Sequence, residues 1–212
     1  MKSLIWDLDG TLVHSAPDIQ AAANKMLADF DLAPLDLATI ETFIGSGIPK
    51  LVERCLAVYD LPLNDAAIQA MRSYYDADCT TLTAPYDGVI HCLETMKSRG
   101  IKMALCTNKP LAPALIILEA LDLAKYFDVT VGGDTYAHHK PHPAPLLGCV
   151  EQLGVNVADC IYIGDSETDT QTAINGNMTF ALFSGGYRKT PVLALKHDFL
   201  FDHFDALTEY LS

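Results

Sequence analysis

Positive charge is scarce in this chain: 14 Lys and Arg stand against 27 Asp and Glu, a net charge of −13 over 212 residues. That balance excludes nucleic acid and anionic membrane as partners, since both require basic surface. It also repels phosphorylated ligands at long range. A phosphate site here must therefore make its own positive potential from a metal ion, lysine and backbone N–H groups. Paired cysteine motifs are lacking too. Cys55, Cys79, Cys92, Cys106, Cys149 and Cys160 are scattered without a CxxC, and they read as buried, reduced thiols of a cytoplasmic protein. No apolar run reaches the roughly 20 residues of a membrane helix, and no signal-peptide pattern fits the start. Repeats, low-complexity tracts and long linkers are also missing.

What remains is a chain half hydrophobic, long enough for one α/β domain with a small insertion. Short apolar runs at 4–6, 102–106, 129–132, 160–163 and 178–183 read as strands. From the second onward they alternate with helical patterns at 88–98, 112–121, 144–153 and 168–175, which predicts a parallel sheet with covering helices. Gly100 and Gly176 read as helix stops. Trp6, Met26, Met71 and Tyr74 read as core. Between the first two strands lies far more chain than one crossover needs. Residues 15–85 read as a helical insertion, with Ser15-Ala16-Pro17-Asp18 resembling a capping box and further helices near 37–43, 49–59 and 65–79. The expected division is a core of residues 1–14 and 86–212 and a helical cap of residues 15–85. Such a cap sits over the carboxyl end of the sheet, where open α/β folds bind ligands.

The chemistry is concentrated at strand ends. Asp7-Leu8-Asp9-Gly10-Thr11-Leu12 closes the first strand with two carboxylates at i and i+2, on one side of an extended chain. Two such charges repel by about 4 kcal/mol at ~4 Å with an effective dielectric near 20, so they call for a cation, a shared proton or a catalytic task. The pattern suits an aspartate nucleophile, a neighbouring acid/base and a hard metal. Gly10 allows the chain to turn. The competing reading, a strand entering a surface turn, is weakened by three later clusters. Thr107-Asn108 ends the second strand, where a hydroxyl and an N–H can grip a phosphate oxygen, although taken alone the segment is better explained as a strand-to-helix turn with Thr or Asn as cap. Lys140, in His138-His139-Lys140-Pro141-His142-Pro143, is a candidate fixed ammonium, and a solvated surface lysine is the alternative. The three histidines there lack a helix to align them on a transition metal. Gly164-Asp165-Ser166-Glu167-Thr168-Asp169 follows a buried strand, and Asp7, Asp165 and a main-chain carbonyl meet the oxygen-ligand demand of Mg²⁺.

Taken together, the four clusters resemble the haloacid dehalogenase superfamily of phosphatases. Asp7 to Leu12 match its first motif, Thr107 the second, Lys140 the third, and Gly164-Asp165 through Asp169 the fourth. Further segments resemble its phosphoglycolate phosphatase branch, although His14 stands where that branch usually carries Asp. The resemblance implies a Rossmann-like sheet of order 5-4-1-2-3 and a Mg²⁺-dependent phosphomonoesterase acting on a small phosphorylated metabolite. In it Asp7 is the nucleophile and Asp9 the acid/base. Thr107, Asn108 and Gly10 face the phosphoryl group, and Lys140 stabilises charge. Asp7, the Asp9 carbonyl and Asp165 hold the metal, with Asp169 in support. Phe43-Ile44-Gly45-Ser46-Gly47 resembles the substrate-facing loop, so Gly45, Ser46, Gly47, Lys50 and Arg54 are expected to read the non-phosphate part. A phosphomutase of the β-phosphoglucomutase type is the rival on the same fold. A phospho-accepting signalling module is the rival from another class, but such domains are shorter and lack the insertion. The sequence leaves monomer and dimer open.

Overall fold

The computed structural model describes residues 2–211. A six-stranded sheet forms the centre, with every neighbouring pair parallel. Its strands are β1 (Ser3–Trp6), β4 (Met103–Cys106), β5 (Val129–Val131), β6 (Cys160–Gly164), β7 (Thr179–Phe183) and β8 (Phe199–Phe201), in the order β5-β4-β1-β6-β7-β8. The five strands expected from sequence lie in the order 5-4-1-2-3. The sixth, the three-residue edge strand β8, has too short a pattern to be read in advance.

β1 is central and buried on both faces, which is why it is a continuous apolar run. Its residues divide by parity. Leu4 and Trp6 join the hydrophobic cluster on one face, and Ile5 joins the cluster on the other. The first face is covered by α5 (Val89–Ser98), α6 (Leu111–Ala120) and α9 (Phe204–Tyr210), the second by α7 (Ala144–Leu153) and α8 (Glu167–Gly176). Gly100 takes a left-handed φ of +72° just past α5, as expected of a helix stop. At α8 the stop falls one residue later than expected: Asn177 adopts the left-handed conformation, and Gly176 is the last helical residue. Trp6, Met26 and Met71 are buried, whereas Tyr74 is half-buried and extends its hydroxyl to Asp29. Among the described residues no helix is long and apolar enough to cross a membrane.

Four helices are inserted between β2 (Val13–His14) and β3 (Ala84–Pro85): α1 (Ala16–Ala28), α2 (Leu37–Glu41), α3 (Ile48–Ala57) and α4 (Asp65–Ala77). β2 and β3 pair antiparallel, Val13 opposite Pro85, so the insertion leaves and re-enters through a two-strand ribbon. The expected capping box at Ser15 does not form. Ser15 makes no side-chain cap and instead donates to Asp9 Oδ1 at 2.5 Å. Asp18, fully buried, accepts from Leu82 N (3.0 Å), Thr83 N (2.8 Å) and Thr83 Oγ1 (2.6 Å). The same short spacing serves two loops rather than one helix end. Asp18 fastens the first turn of α1 to the segment that returns to the sheet.

Asp18→Ala strands these donors in a buried place, and each such group costs about 1–3 kcal/mol. The expected outcome is a fall in Tm of roughly 5–10 °C, read by circular dichroism. A change under about 1 °C would contradict this role for Asp18.

Candidate active site

Three strands deliver their last residues to one place. Asp7 N–H donates to Ile163 O (2.9 Å), and Thr107 N–H donates to Val131 O (3.0 Å), so each residue continues its strand's ladder by one step. Beyond Asp7 the chain turns tightly. The Leu8 carbonyl accepts from Thr11, Leu12 and Val13. Gly10 sits in the left-handed region at φ +85°, and a Cβ there would lie 2.5 Å from Asp165 Oδ2. Both backbone and space therefore demand glycine. The turn also carries Thr11 Oγ1 to Asp165 Oδ1 at 2.7 Å.

Lys140 is buried in the centre of the cluster. Its Nζ donates to Asp169 Oδ1 (2.7 Å) and Tyr162 Oη (2.7 Å). Asp7 Oδ1 forms an ion pair with the same nitrogen at 2.9 Å, and no other donor among the described residues reaches this buried oxygen. Burial, and next the Asp169 charge, push the Asp7 carboxyl up to about 7 against the pull of Lys140. Asp165 is also held well above the usual carboxylate range, by burial first and then by Asp169 and Asp7. For Asp169 burial acts upward, but the Lys140 charge and the hydrogen bonds from Lys140, Ser166 and Tyr162 together outweigh it, and the carboxyl stays low. Burial opposes the Lys140 ammonium too, and the charges of Asp169 and Asp7 more than restore it. Asp169 also completes a capping box with Ser166 at the start of α8, which fixes its carboxylate.

One carboxylate oxygen each from Asp7, Asp165 and Asp169 lies within 4.8 Å of the others, all buried. Such a dense set of buried hard oxygen donors fits a divalent cation. The Asp9 carboxylate is not in this set. It turns toward Lys109, whose Nζ lies 2.8 Å from both of its oxygens, and it accepts from Ser15. The crevice expected to hold two repelling aspartates thus gives each its own lysine.

Asp7, Asp9, Thr107, Asn108 and Lys109 line one cavity, closed on the insertion side by Gly45, Gly47, Ile48, Met71 and Tyr75 among others. The Thr107 hydroxyl accepts from Lys109 N–H (3.1 Å), which leaves its own proton to donate. Asn108 is a three-way tie: Nδ2 donates to Gly45 O and Lys140 O, and Oδ1 accepts from Lys140 N. Other expected residues are elsewhere. Ser46 is not on the cavity wall. Lys50 is exposed and pairs with Glu53 at 2.7 Å, and Arg54 braces the Phe43 carbonyl at 2.7 Å. Neither cation reaches the cavity. His138 and His142 stack on each other at 4.3 Å, and His139 engages the Lys140 carbonyl, so the three rings do not converge on a point.

Three contributors escaped sequence reasoning. Lys109 gave no signal beyond adjacency to Thr107. Tyr162 was hidden in an apolar strand. Tyr187 donates its N–H to Asp165 Oδ2 (2.6 Å), while its hydroxyl meets His14 Nδ1 (2.7 Å) and accepts from Ala16 N (3.1 Å). His14 thus belongs to the link between β2 and the Asp165 side chain.

The raised Asp7 value carries a sign. Between the unfolded carboxyl near 4 and the folded value of about 7, the folded protein keeps a proton that the unfolded chain has released. Stability therefore falls as pH rises through that window in metal-free protein. In EDTA, Asp7→Asn is expected to melt above wild type at pH 8, with the gap closing as pH falls toward 5. A gap independent of pH would refute this account of Asp7.

The family pattern of the haloacid dehalogenase-like hydrolases matches residues 4–183. The phosphoglycolate phosphatase of Cereibacter sphaeroides strain ATCC 17029 is 44% identical over 217 residues, covering 100% of this chain and 98% of that protein. That of Rhodospirillum rubrum is 41% identical, covering 100% and 91%. A crystal structure described as a predicted phosphoglycolate phosphatase from Haemophilus somnus 129PT superimposes with a TM-score of 0.94 at 28% identity, covering 100% of this chain and 98% of that one. With a matching pattern across most of its length and full-length relatives, the chain belongs to the haloacid dehalogenase-like hydrolases.

Proposed function

We propose that this protein is a Mg²⁺-dependent phosphatase that hydrolyses a small phosphomonoester of the 2-phosphoglycolate type through an aspartyl-phosphate on Asp7. The observation that carries the reading is the buried Asp7 carboxylate, ion-paired to Lys140 and clustered with Asp165 and Asp169, on a cavity that Asp9 also lines. The relatives named phosphoglycolate phosphatase support the choice of substrate class. Residues 1–14 and 86–212 act as the catalytic core and residues 15–85 as the cap that shapes the substrate's surroundings. We assign such an enzyme to the cytoplasm, where six free buried thiols stay reduced.

In the first step an Asp7 carboxylate oxygen attacks phosphorus, and the bond from phosphorus to the ester oxygen breaks. Asp9 gives its proton to the departing alkoxide. In the second step Asp9 takes a proton from water as that water attacks the phosphorus of the acyl phosphate. Inorganic phosphate leaves and Asp7 is restored. Splitting one slow displacement in this way is the gain of covalent catalysis. Lys109 and Ser15 aim Asp9. The Thr107 hydroxyl and the Asn108 main chain hold phosphoryl oxygens, and Lys140 balances charge on Asp7 and on the transferring group. Asp7, Asp165 and the Asp9 carbonyl would hold Mg²⁺, with Asp169 beside them, and the bound ion supplies charge neutralisation for the phosphoryl oxygens.

Phosphate release from 2-phosphoglycolate should require Mg²⁺ and cease in EDTA. Asp7→Asn should lower kcat on the order of 10³-fold or more. Asp9→Asn should accumulate a phosphorylated protein visible by mass spectrometry. Interconversion of sugar phosphates without net phosphate release would replace this reading with a mutase.

A further inference from the structure

Among the described residues, the inserted helices place no Lys or Arg on the cavity wall. Lys50 is paired with Glu53 on the outside, Arg54 is spent on the Phe43 carbonyl, and Lys109 gives two of its donors to Asp9. A leaving group that carries a carboxylate must find other donors there, and two kinds are present.

The first is the Tyr75 hydroxyl. Tyr75, on α4, is 2% exposed and lines the cavity, yet its hydroxyl has no hydrogen-bond partner among the described residues. Lys109 Nζ lies over the ring, 4.7 Å from its centroid, and holds it in place without closing a hydrogen bond to the oxygen. A buried hydroxyl left without a partner is costly and calls for a reason. Burial, foremost, pushes this phenol above its ordinary value, so it remains an O–H donor at neutral pH.

The second is the start of α3. This ten-residue helix opens at Gly47 (φ +80°) with no side-chain cap; Pro49 has no N–H, and the N–H groups of Ile48 and Lys50 have no intrahelical acceptor. Gly45, Gly47 and Ile48 line the same cavity as Tyr75. A Cβ on Gly45 would meet nothing within 4 Å, so the backbone there borders open space. The end of the helix that carries partial positive charge thus borders the same cavity as the Tyr75 side chain.

We propose that Tyr75 Oη and the first N–H groups of α3 form the subsite for the carboxylate of the leaving group, making Tyr75 a specificity-determining residue for short phosphorylated hydroxy acids. The inference rests on the phosphatase reading above. It replaces the expected pair Lys50 and Arg54 with neutral donors. The apolar walls supplied by Ile19, Ile44, Leu51 and Met71 restrict the subsite to a short group.

The test compares 2-phosphoglycolate with ethyl phosphate, which puts a methyl group where the carboxylate stands, in wild type and Tyr75→Phe. Wild type should prefer 2-phosphoglycolate. In Tyr75→Phe the ratio of kcat/KM for the two substrates should fall about 10- to 100-fold toward ethyl phosphate, mostly through KM. The Tm of the variant should stay close to that of wild type, because the lost hydroxyl meets the geometry of no hydrogen bond among the described residues. An unchanged ratio overturns the assignment, as does a wild type that takes ethyl phosphate equally well; both leave the phosphatase reading standing. A wild type that releases phosphate from neither ester overturns that reading, and this inference with it.

Discussion

The structure is organised around an imbalance of buried charge. Four carboxylates, those of Asp7, Asp9, Asp165 and Asp169, converge where the sheet ends, against two buried lysines. Two unit charges 4.8 Å apart at an effective dielectric of about 20 repel by roughly 3 kcal/mol. The fold meets this by distributing partners unevenly. Asp169 takes most of Lys140 together with Tyr162 and Ser166, and so remains ionised. Asp9 takes Lys109 and Ser15. Asp7 and Asp165 are left under-compensated and pushed upward, the state in which a further cation gains most by arriving. The rigid strands matter here because they hold like charges together that a flexible chain would let separate.

The same cluster joins the sheet to the inserted helices. Asn108 binds the main chain of Lys140 with both ends of its amide, and its Nδ2 also donates to the Gly45 carbonyl. Lys109 reaches from the end of β4 to Asp9 and lies over the ring of Tyr75. Tyr187 connects Asp165 to His14 and Ala16, where the ribbon gives way to α1. Asn108, Lys109 and Tyr187 therefore each touch the insertion or its root as well as the site, and the cavity is a joint product of both parts.

Much of this was legible in the sequence. β1, β4 and β6 announced themselves as apolar runs ending in Asp, Thr and Gly-Asp, because parallel strands buried on both faces leave no other pattern. The residues at those ends inherited their positions from the strands. What failed was whatever depended on the far side of the molecule. Ser15 and Asp18 have the spacing of a cap, and nothing local reveals that Asp9 and Thr83 compete for them. Lys50 and Arg54 were placed by proximity to a glycine turn, but helical phase carries one outward to Glu53 and the other back to Phe43. Nothing local marked Lys109, since its partners Asp9 and Tyr75 lie far away in sequence. β8 lies at the sheet edge and is only three residues long.

The two-strand ribbon has a consequence for how this architecture varies. Val13 and Pro85 are directly paired, so the insertion begins and ends about 5 Å apart, the spacing of antiparallel neighbours. To the sheet, everything between them is one loop whose ends are already joined. The entropy of closing such a loop grows only as the logarithm of its length, about 0.6 kcal/mol for each doubling. Segments of quite different size could therefore be grafted at this ribbon with little thermodynamic effect on the sheet. The leaving-group half of the cavity can then diversify while the four carboxylates and two lysines beneath it stay where they are.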